Sequence, residues 1–310
     1  VTGRGRVTVV EVGPRDGLQN EKGFVPSDVK VAFVEALANA GLSVVETTAF
    51  VSPRAIPQLA DSAEVFARVT KKPGVRYPVL VPNEKGLLRA LAAGARAIAL
   101  FTAATDTFNL KNTNATIEES FARFAPVLVR ARAEGLHVRG YVSTVFGCPY
   151  EGRVDPAKAA GVAARLFEVG CEEVSLGDTI GVAVPTQVAD VLGRVREAGV
   201  PVERTALHMH DTRGTALANV VEGLRGGVRI FDAAAGGLGG CPYAPGAAGN
   251  LATEDLLYLL HGMGYETGVD LPGVAGATRS LADTIGRAPV SRVFAAISSA
   301  SLRASAAPAR

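Results

Sequence analysis

Short runs of β-branched and apolar residues alternate with longer Ala/Leu-rich runs along nearly the whole chain. Eight of the short runs read as strands: Val7–Val12, Ser43–Thr47, Arg76–Val81, Ala97–Phe101, Val138–Ser143, Glu173–Leu176, Thr205–His210 and Ile230–Ala233. Each is bounded by Gly, Pro or polar residues. The longer runs have helical spacing. Ser27 stands where a cap belongs, ahead of Val31, Val34, Leu37 and Ala38 on one face, and Gly41 follows. Thr116 with Glu119 reads as a capping box that opens a helix through Arg132. Asp155-Pro156 reads as a helix start with Gly170 as its stop. Thr253 opens another, with Glu254 and Asp255 in the first turn, where acids favour the helix dipole. Val274–Ile285 adds a helix beyond the last strand.

This alternation over about 265 residues predicts an α/β fold, a (β/α)8 TIM barrel with additional C-terminal helices. An open doubly wound sheet is the competing architecture. The placement of polar residues decides between them. Arg15 and Asp16 follow the first strand, Glu46 lies in the second, Asp178 follows the sixth, and His208 and His210 lie in the seventh. A barrel brings all these strand ends to one mouth, whereas an open sheet strings them along an edge. No linker divides the chain. A single catalytic barrel domain is therefore expected over 1–310, with a core of about 6–268. A helical extension over 269–297 and an Ala/Ser-rich tail, 298–310, that frays are expected to follow.

Composition narrows the function. Hydrophobic residues make up 48%, enough for a sizeable core and too many for a disordered chain. The net charge of +2 argues against a nucleic-acid-binding surface, though a local basic patch for an anionic ligand is compatible with it. No apolar run approaches a membrane span, and Val1–Val10 has no signal-peptide core. Three cysteines do not make a disulfide framework. A cytoplasmic protein without nucleic-acid or membrane partners is expected. Val1 rather than Met opens the sequence, which fits a trimmed or processed start.

The sharpest chemical signal is His208-Met209-His210-Asp211, in a chain with only four histidines. Strand positions i and i+2 share a face, so both imidazoles can reach one point, as a metal requires. The pair alone is equally compatible with two histidines satisfied by backbone groups. Asp16 and Asn250 are candidate further ligands, because a barrel sets the first strand beside the eighth and the eighth beside the seventh. Two imidazoles, one carboxylate and one amide oxygen suit Mg²⁺, Mn²⁺, Co²⁺ or Zn²⁺ with positions open to substrate. Taken singly, Asp16 also fits a turn aspartate and Asn250 a helix-flanking residue. Arg15 can stabilise a developing oxyanion, or form an ordinary ion pair. The glycine-rich stretch from Gly236 to Gly246 can act as a lid, and Cys241 within it can donate a proton in a closed site. Cys148 lies in a similar Gly-Cys-Pro-Tyr stretch, and Cys171 reads as structural. Glu46 and Asp178 fit either a substrate or ligand-orienting role or a rim salt bridge. Lys111, Asn112 and Asn114 fit a long ligand's phosphates or amides, but read as well as an ordinary polar loop. No Walker A sequence is present.

Six stretches together carry a resemblance: VEVGPRDGLQNE (10–21), VETTAFVSPRAIPQLAD (45–61), GYVSTVFGCPYEG (140–152), SLGDTIGV (175–182), HMHDTRGTALAN (208–219) and GLGGCPYAPGAAGNLATED (237–255). The chain resembles the hydroxymethylglutaryl-CoA lyases, within the wider group of metal-dependent barrel lyases and Claisen-type synthases. RDG and H-x-H-D mark the wider group, and the loop running through Cys241 into GNLATED is specific to the lyases. The resemblance implies that Asp16, His208, His210 and Asn250 bind a divalent cation, Mg²⁺ or Mn²⁺ before Co²⁺ or Zn²⁺. It implies that Arg15 stabilises an enolate oxygen and that Cys241 handles the proton at the acetyl carbon. Asp16 joins them as a catalytic candidate, one of the groups able to take the hydroxyl proton. Glu46 would orient the metal site and Arg15, and Gln19, Tyr141, Asp178 and Thr179 would lie near substrate. The implied reaction is retro-Claisen cleavage of 3-hydroxy-3-methylglutaryl-CoA, or a close 3-hydroxy-acyl-CoA, to acetyl-CoA and acetoacetate or the matching keto acid. A homodimer with an acyl-CoA substrate is implied.

The chain departs from the family pattern in places. Asp232-Ala233-Ala234-Ala235-Gly236 replaces an expected Asp-Ser-Ser-Val-Ala, which removes two hydroxyls expected near substrate. Met209 stands for Cys, Arg213 for Tyr, Asn109-Leu110-Lys111-Asn112 for Ser-Lys-Lys-Asn, and Ala115-Thr116 for Cys-Ser. The alternatives are a Claisen-type condensing synthase, a 4-hydroxy-2-oxo acid aldolase, and a non-catalytic acyl-CoA- or metal-binding barrel. Arg15 and Cys241 argue against the last, because metal binding needs neither.

Overall fold

The computed structural model describes residues 4–21, 23–240 and 249–306. The barrel strands, with one hairpin between them, are β1 (Thr8–Glu11), β2 (Val44–Val45), β3 (Thr48–Ala49), β4 (Val79–Leu80), β5 (Ala97–Ala103), β6 (His137–Ser143), the hairpin β7 (Gly147–Cys148) and β8 (Gly152–Arg153), then β9 (Glu173–Asp178), β10 (Thr205–Met209) and β11 (Ile230–Ala233). The large sheet runs β2-β1-β11-β10-β9-β6-β5-β4-β3, and every pairing in it is parallel. Its two edges are halves of one extended segment. Glu46 N–H donates to Glu11 O at 2.8 Å and Thr47 N–H to Pro78 O at 2.9 Å. The segment thus bonds to β1 on one side and β4 on the other, and the eight-stranded ring closes.

Helices α1 (Ser27–Asn39), α2 (Ser62–Arg68), α3 (Glu84–Ala92), α4 (Asp106–Thr113), α5 (Ile117–Ala133), α6 (Pro156–Glu168), α7 (Pro185–Glu197), α8 (Ala216–Arg225) and α9 (Thr253–Gly262) follow the strands. α10 (Leu271–Ile285) and α11 (Arg292–Ala306) complete the C-terminal extension. α11 runs to Ala306, through part of the segment whose composition predicts fraying. None of the described helices is long and apolar enough to cross a membrane.

The helix starts show which local signals hold. The Thr116/Glu119 capping box forms, and Asp155 caps α6 by accepting from Ala157 N–H. Ser27 does not cap α1; Pro26 holds that position, and Ser27 Oγ donates to Asp61 Oδ2 at 2.8 Å. A tertiary partner outcompetes the local one there. Gly41, at φ 97°, ends the first helical unit, and a Cβ on it would come within 2.3 Å of Gly268 O.

Candidate active site and metal centre

Alternation along β10 sends Leu207 and Met209 into the apolar layer under the helices, and His208 and His210 inward. Beyond the strand, His210 forms an antiparallel bridge with Asn250. Leu251 N–H donates to Met209 O at 2.9 Å, which fixes the register. Asn250 thus arrives beside the histidines. Asp16 arrives from a single π-type turn, Gly13–Gly17, in which Val12 O accepts from the amides of Arg15, Asp16 and Gly17. Glu11 holds this turn from below. Its carboxylate accepts from Gly13 N–H at 2.8 Å, Ala235 N–H at 2.9 Å and Thr253 Oγ1 at 2.7 Å.

Asp16, His208 and His210 bring one ligand atom each within 4.8 Å of one another. The two imidazole Nε2 atoms lie 3.2 Å apart. Adjacent ligands at right angles on a cation with bonds of about 2.1 Å are separated by about 3.0 Å. Asn250 Nδ2 donates to Asp16 Oδ2 at 2.9 Å and to Leu238 O at 3.0 Å, while its Oδ1 is buried without a partner. Two facing imidazole nitrogens, a carboxylate and, on the residue bonded to that carboxylate, an orphaned amide oxygen are a donor set that fits a divalent cation. His208 Nδ1 lies 3.1 Å from Asp232 Oδ2, which places the proton on Nδ1 and leaves the Nε2 lone pair for a ligand.

The electrostatics agree. Burial works against ionised Asp16, but Arg15, the two histidines and Asn250 hold it at about 2. Burial and then the charge of His208 push His210 down to about 4, so its imidazole is neutral at pH 7. Burial alone would lower His208 as well, yet the hydrogen bond and charge of Asp232 raise it.

Arg15 is 6% exposed. Its Nη1 donates to Asp16 Oδ1 at 2.6 Å and its Nε to Glu46 Oε1. Burial opposes its charge, but Glu46 and Asp16 keep it protonated far beyond the ordinary arginine range. Tyr141 OH donates to Glu46 Oε2 at 2.6 Å, so both Glu46 oxygens are engaged. Glu46 is wholly buried and orients Arg15 rather than facing the cavity. The guanidinium carbon of Arg15 lies 5.5 Å from the Tyr141 ring centroid.

A cavity of about 920 Å³ opens above these groups. Arg15, Asp16, Gln19, Tyr141, Thr179, His208 and His210 line it, as do Lys111, Asn112 and Asn114 around the end of α4. The last three are cavity residues, not an ordinary polar loop. Asp178 departs from expectation. It does not line the cavity; its oxygens accept from Val182 N–H at 2.9 Å and Ala183 N–H at 3.0 Å and shape the loop after β9. Ala233, Ala234 and Ala235 are fully buried and are not among the residues that line the cavity. Cys171 is buried, which pushes its thiol up to about 12. Cys148 is buried too, accepting from Thr105 Oγ1 at 3.2 Å. Cys241 lies outside the described residues; Gly240, the last before it, lines the cavity. Sequence reasoning gave no role to Asp232, Arg139, Ser175, Glu173 or Glu11. Arg139 and Tyr141, two apart on β6, share an inward face, and that spacing was the available signal.

A (β/α)8 barrel with a cluster of N and O donors at its mouth that fits a divalent cation, beside a buried arginine, points to the barrel lyases. A family model described as HMGL-like matches residues 6–289, and the chain belongs to that family. It is 53% identical over 288 residues to the mitochondrial hydroxymethylglutaryl-CoA lyase of Bos taurus, covering 93% of this chain and 88% of that one. It is 52% identical over 287 residues to the cytoplasmic 3-hydroxy-3-methylglutaryl-CoA lyase of Rattus norvegicus, covering 93% and 83%. The crystal structure of hydroxymethylglutaryl-CoA lyase from Pseudomonas aeruginosa superposes with a TM-score of 0.93 at 47% identity, covering 95% of this chain and 98% of that chain. An HMG-CoA lyase from Acinetobacter baumannii in complex with coenzyme A and 3-methylmalate gives 0.89 at 39% identity, covering 93% and 94%.

Proposed function

We propose that this protein is a carbon–carbon lyase that cleaves 3-hydroxy-3-methylglutaryl-CoA to acetyl-CoA and acetoacetate with a divalent cation, Mg²⁺ or Mn²⁺. One observation carries the reading: Asp16, His208 and His210 cluster at one large cavity, with the Arg15 guanidinium on Asp16 and the side chain of Asn250, its Oδ1 unpartnered, hydrogen-bonded to the same carboxylate. Simple cation binding needs no buried arginine there.

Asp16, His208, His210 and Asn250 would hold the cation. Bound there, it supplies Lewis acidity that draws negative charge onto the C3 oxygen of the substrate. The C3 hydroxyl loses its proton as the C2–C3 bond breaks, and the bonding pair moves into the thioester to form an enolate. Ionised Asp16 is the proton acceptor at hand. Arg15 meets the developing thioester oxyanion with donors already fixed by Glu46 and Asp16, so little reorganisation accompanies the charge. The enolate carbon then takes a proton to give acetyl-CoA, and Cys241 is our assignment for the donor. Lys111, Asn112 and Asn114 line the outer cavity, where the polar length of a CoA ester would lie.

The test is turnover by metal-stripped protein, with and without Mg²⁺ or Mn²⁺, read as acetyl-CoA release from 3-hydroxy-3-methylglutaryl-CoA and related esters. Metal-dependent release is expected. Clear metal binding without release from any ester sinks the lyase reading. In the same assay Cys241→Ala should lose turnover and keep metal affinity, and unchanged turnover removes Cys241 from the mechanism.

A further inference from the structure

The site has two halves, the cation ligands and the Arg15 corner. Beneath both lies one side chain. Arg139 of β6 is 2% exposed, and its guanidinium faces three ways. Nη2 donates to Asp232 Oδ1 at 2.5 Å, Nη1 donates to Tyr141 OH at 3.0 Å, and Nε is ion-paired with Glu173 Oε1 at 2.7 Å. From Asp232 one arm continues: Oδ2 accepts from Ser175 Oγ at 2.9 Å and holds His208 Nδ1 at 3.1 Å. From Tyr141 the other arm continues: its hydroxyl donates to Glu46, whose second oxygen holds Arg15. The guanidinium carbon of Arg139 also sits 4.8 Å from the Tyr141 ring centroid, so Arg139 and Arg15 share that ring.

We propose that Arg139 is a shared positioning residue, one fork that sets the His208 ligand through Asp232 and the Arg15 oxyanion donor through Tyr141 and Glu46. Arg139 does not line the active-site cavity, so it acts through its partners. Its planar donors fix two acceptors on opposite sides at once, which a lysine ammonium cannot do with the same directions. It also brings the countercharge that lets Asp232 lie wholly buried against His208. The carboxylate in turn fixes which imidazole nitrogen faces the ligand cluster, and such partners alter metal affinity without being ligands. The activity arm of this inference rests on the lyase reading, and the metal arm does not.

The test uses the full chain as Arg139→Lys, Asp232→Asn and Tyr141→Phe, each checked for folding by circular dichroism and thermal melting. Mn²⁺ affinity of metal-stripped protein is read by calorimetry, the Co²⁺ form by its visible spectrum, and kcat and KM at saturating metal. Asp232→Asn should weaken Mn²⁺ binding about 10–100-fold and shift the Co²⁺ spectrum. Tyr141→Phe should keep Mn²⁺ affinity within about twofold and lower kcat. Arg139→Lys should show both losses. If Arg139→Lys does not fold, the Asp232→Asn/Tyr141→Phe double variant replaces it. Its loss in kcat/KM should differ from the product of the single losses by about threefold or more, because both arms end on one guanidinium. The proposal is overturned by a folded Arg139→Lys with near-normal affinity and kcat, by Asp232→Asn that leaves Mn²⁺ binding intact, by Tyr141→Phe that loses metal as Asp232→Asn does, or by additive losses in the double variant. If the unmodified protein turns over no acyl-CoA ester yet the Mn²⁺ losses appear in Asp232→Asn and Arg139→Lys, the lyase reading fails and the metal arm stands.

Discussion

Replacing Glu11 by glutamine should make the fold less sensitive to pH. Glu11 is fully buried and grips both the turn that carries Arg15 and Asp16 and the backbone of Ala235. Burial raises it from 4.5 to about 7, against the lowering effect of hydrogen bonds from Thr253, Ala235 and Gly13, and nearby Glu254 adds to the rise. The folded protein therefore keeps a proton that the unfolded chain releases near 4.5. Stability falls as pH rises through that window and levels off above about 7. One pH unit inside the window is worth about 1.4 kcal/mol. Between about pH 5.5 and 8 the ionising carboxylate costs the fold about 2 kcal/mol. Glutamine is a neutral isostere; its carbonyl oxygen can still accept from Gly13 and Ala235, and its amide can donate to the Thr253 hydroxyl. Urea unfolding of both proteins across this range gives the difference directly, since every other titrating group cancels. The stability of Glu11→Gln relative to the parent should rise by about 2 kcal/mol from pH 5.5 to 8. A difference that stays constant with pH would show Glu11 ionising at its ordinary value and refute the reasoning.

Arg15→Gln should lower kcat about 10²–10³-fold at saturating metal and substrate; a loss under tenfold would remove the oxyanion role. Asn250→Ala should weaken Mn²⁺ binding at least about tenfold by calorimetry, and an unchanged affinity takes Asn250 out of the ligand set. Metal binding should release protons, because Asp232 raises His208 above its ordinary value and the cation needs its free Nε2. Affinity then climbs with pH through the His208 titration and flattens above it, and calorimetry in buffers of different ionisation enthalpy shows zero release if the assignment is wrong. Ala233→Ser combined with Ala234→Ser should leave the ranking of acyl-CoA substrates unchanged, since neither side chain lines the cavity. A changed ranking would place these residues at the substrate after all.

The barrel was legible because its signals are local and periodic. Alternation along Thr205–Met209 sends His208 inward, and the same rule reads His208 and His210 as a facing pair from i and i+2 spacing. What stayed hidden depends on partners far away in sequence. Ser27 looks like a cap, yet Asp61, 34 residues on, takes its hydroxyl. Asp178 looks like a mouth acid, yet the loop after β9 folds back and presents the Val182 and Ala183 amides to it. Asn250, by contrast, was legible from barrel order alone; the structure adds only the bridge to His210 that brings it there.

Arg139 and Asp232 show why charge inside a strand is the more informative signal. Barrel interiors are ordinarily filled by layers of apolar side chains. A charged residue at an inward position cannot be stable there alone, so it implies a partner on another strand at a similar depth. Arg139 meets Asp232 from 93 residues away, and each would be an unfavourable residue without the other. Asp232 pairs with His208 across β11 and β10, where the two stand in register. The inward charges of this barrel thus form one set that is complete only in the closed ring. The ring that buries them also fixes the directions in which His208 and Arg15 point. On this reasoning the network beneath the site belongs to the chemistry as much as to the fold: Arg139→Lys and Asp232→Asn, which disturb the buried pair, should lower the melting temperature as well as metal affinity, whereas Tyr141→Phe, which leaves that pair intact, should lower kcat with the smaller loss in melting temperature.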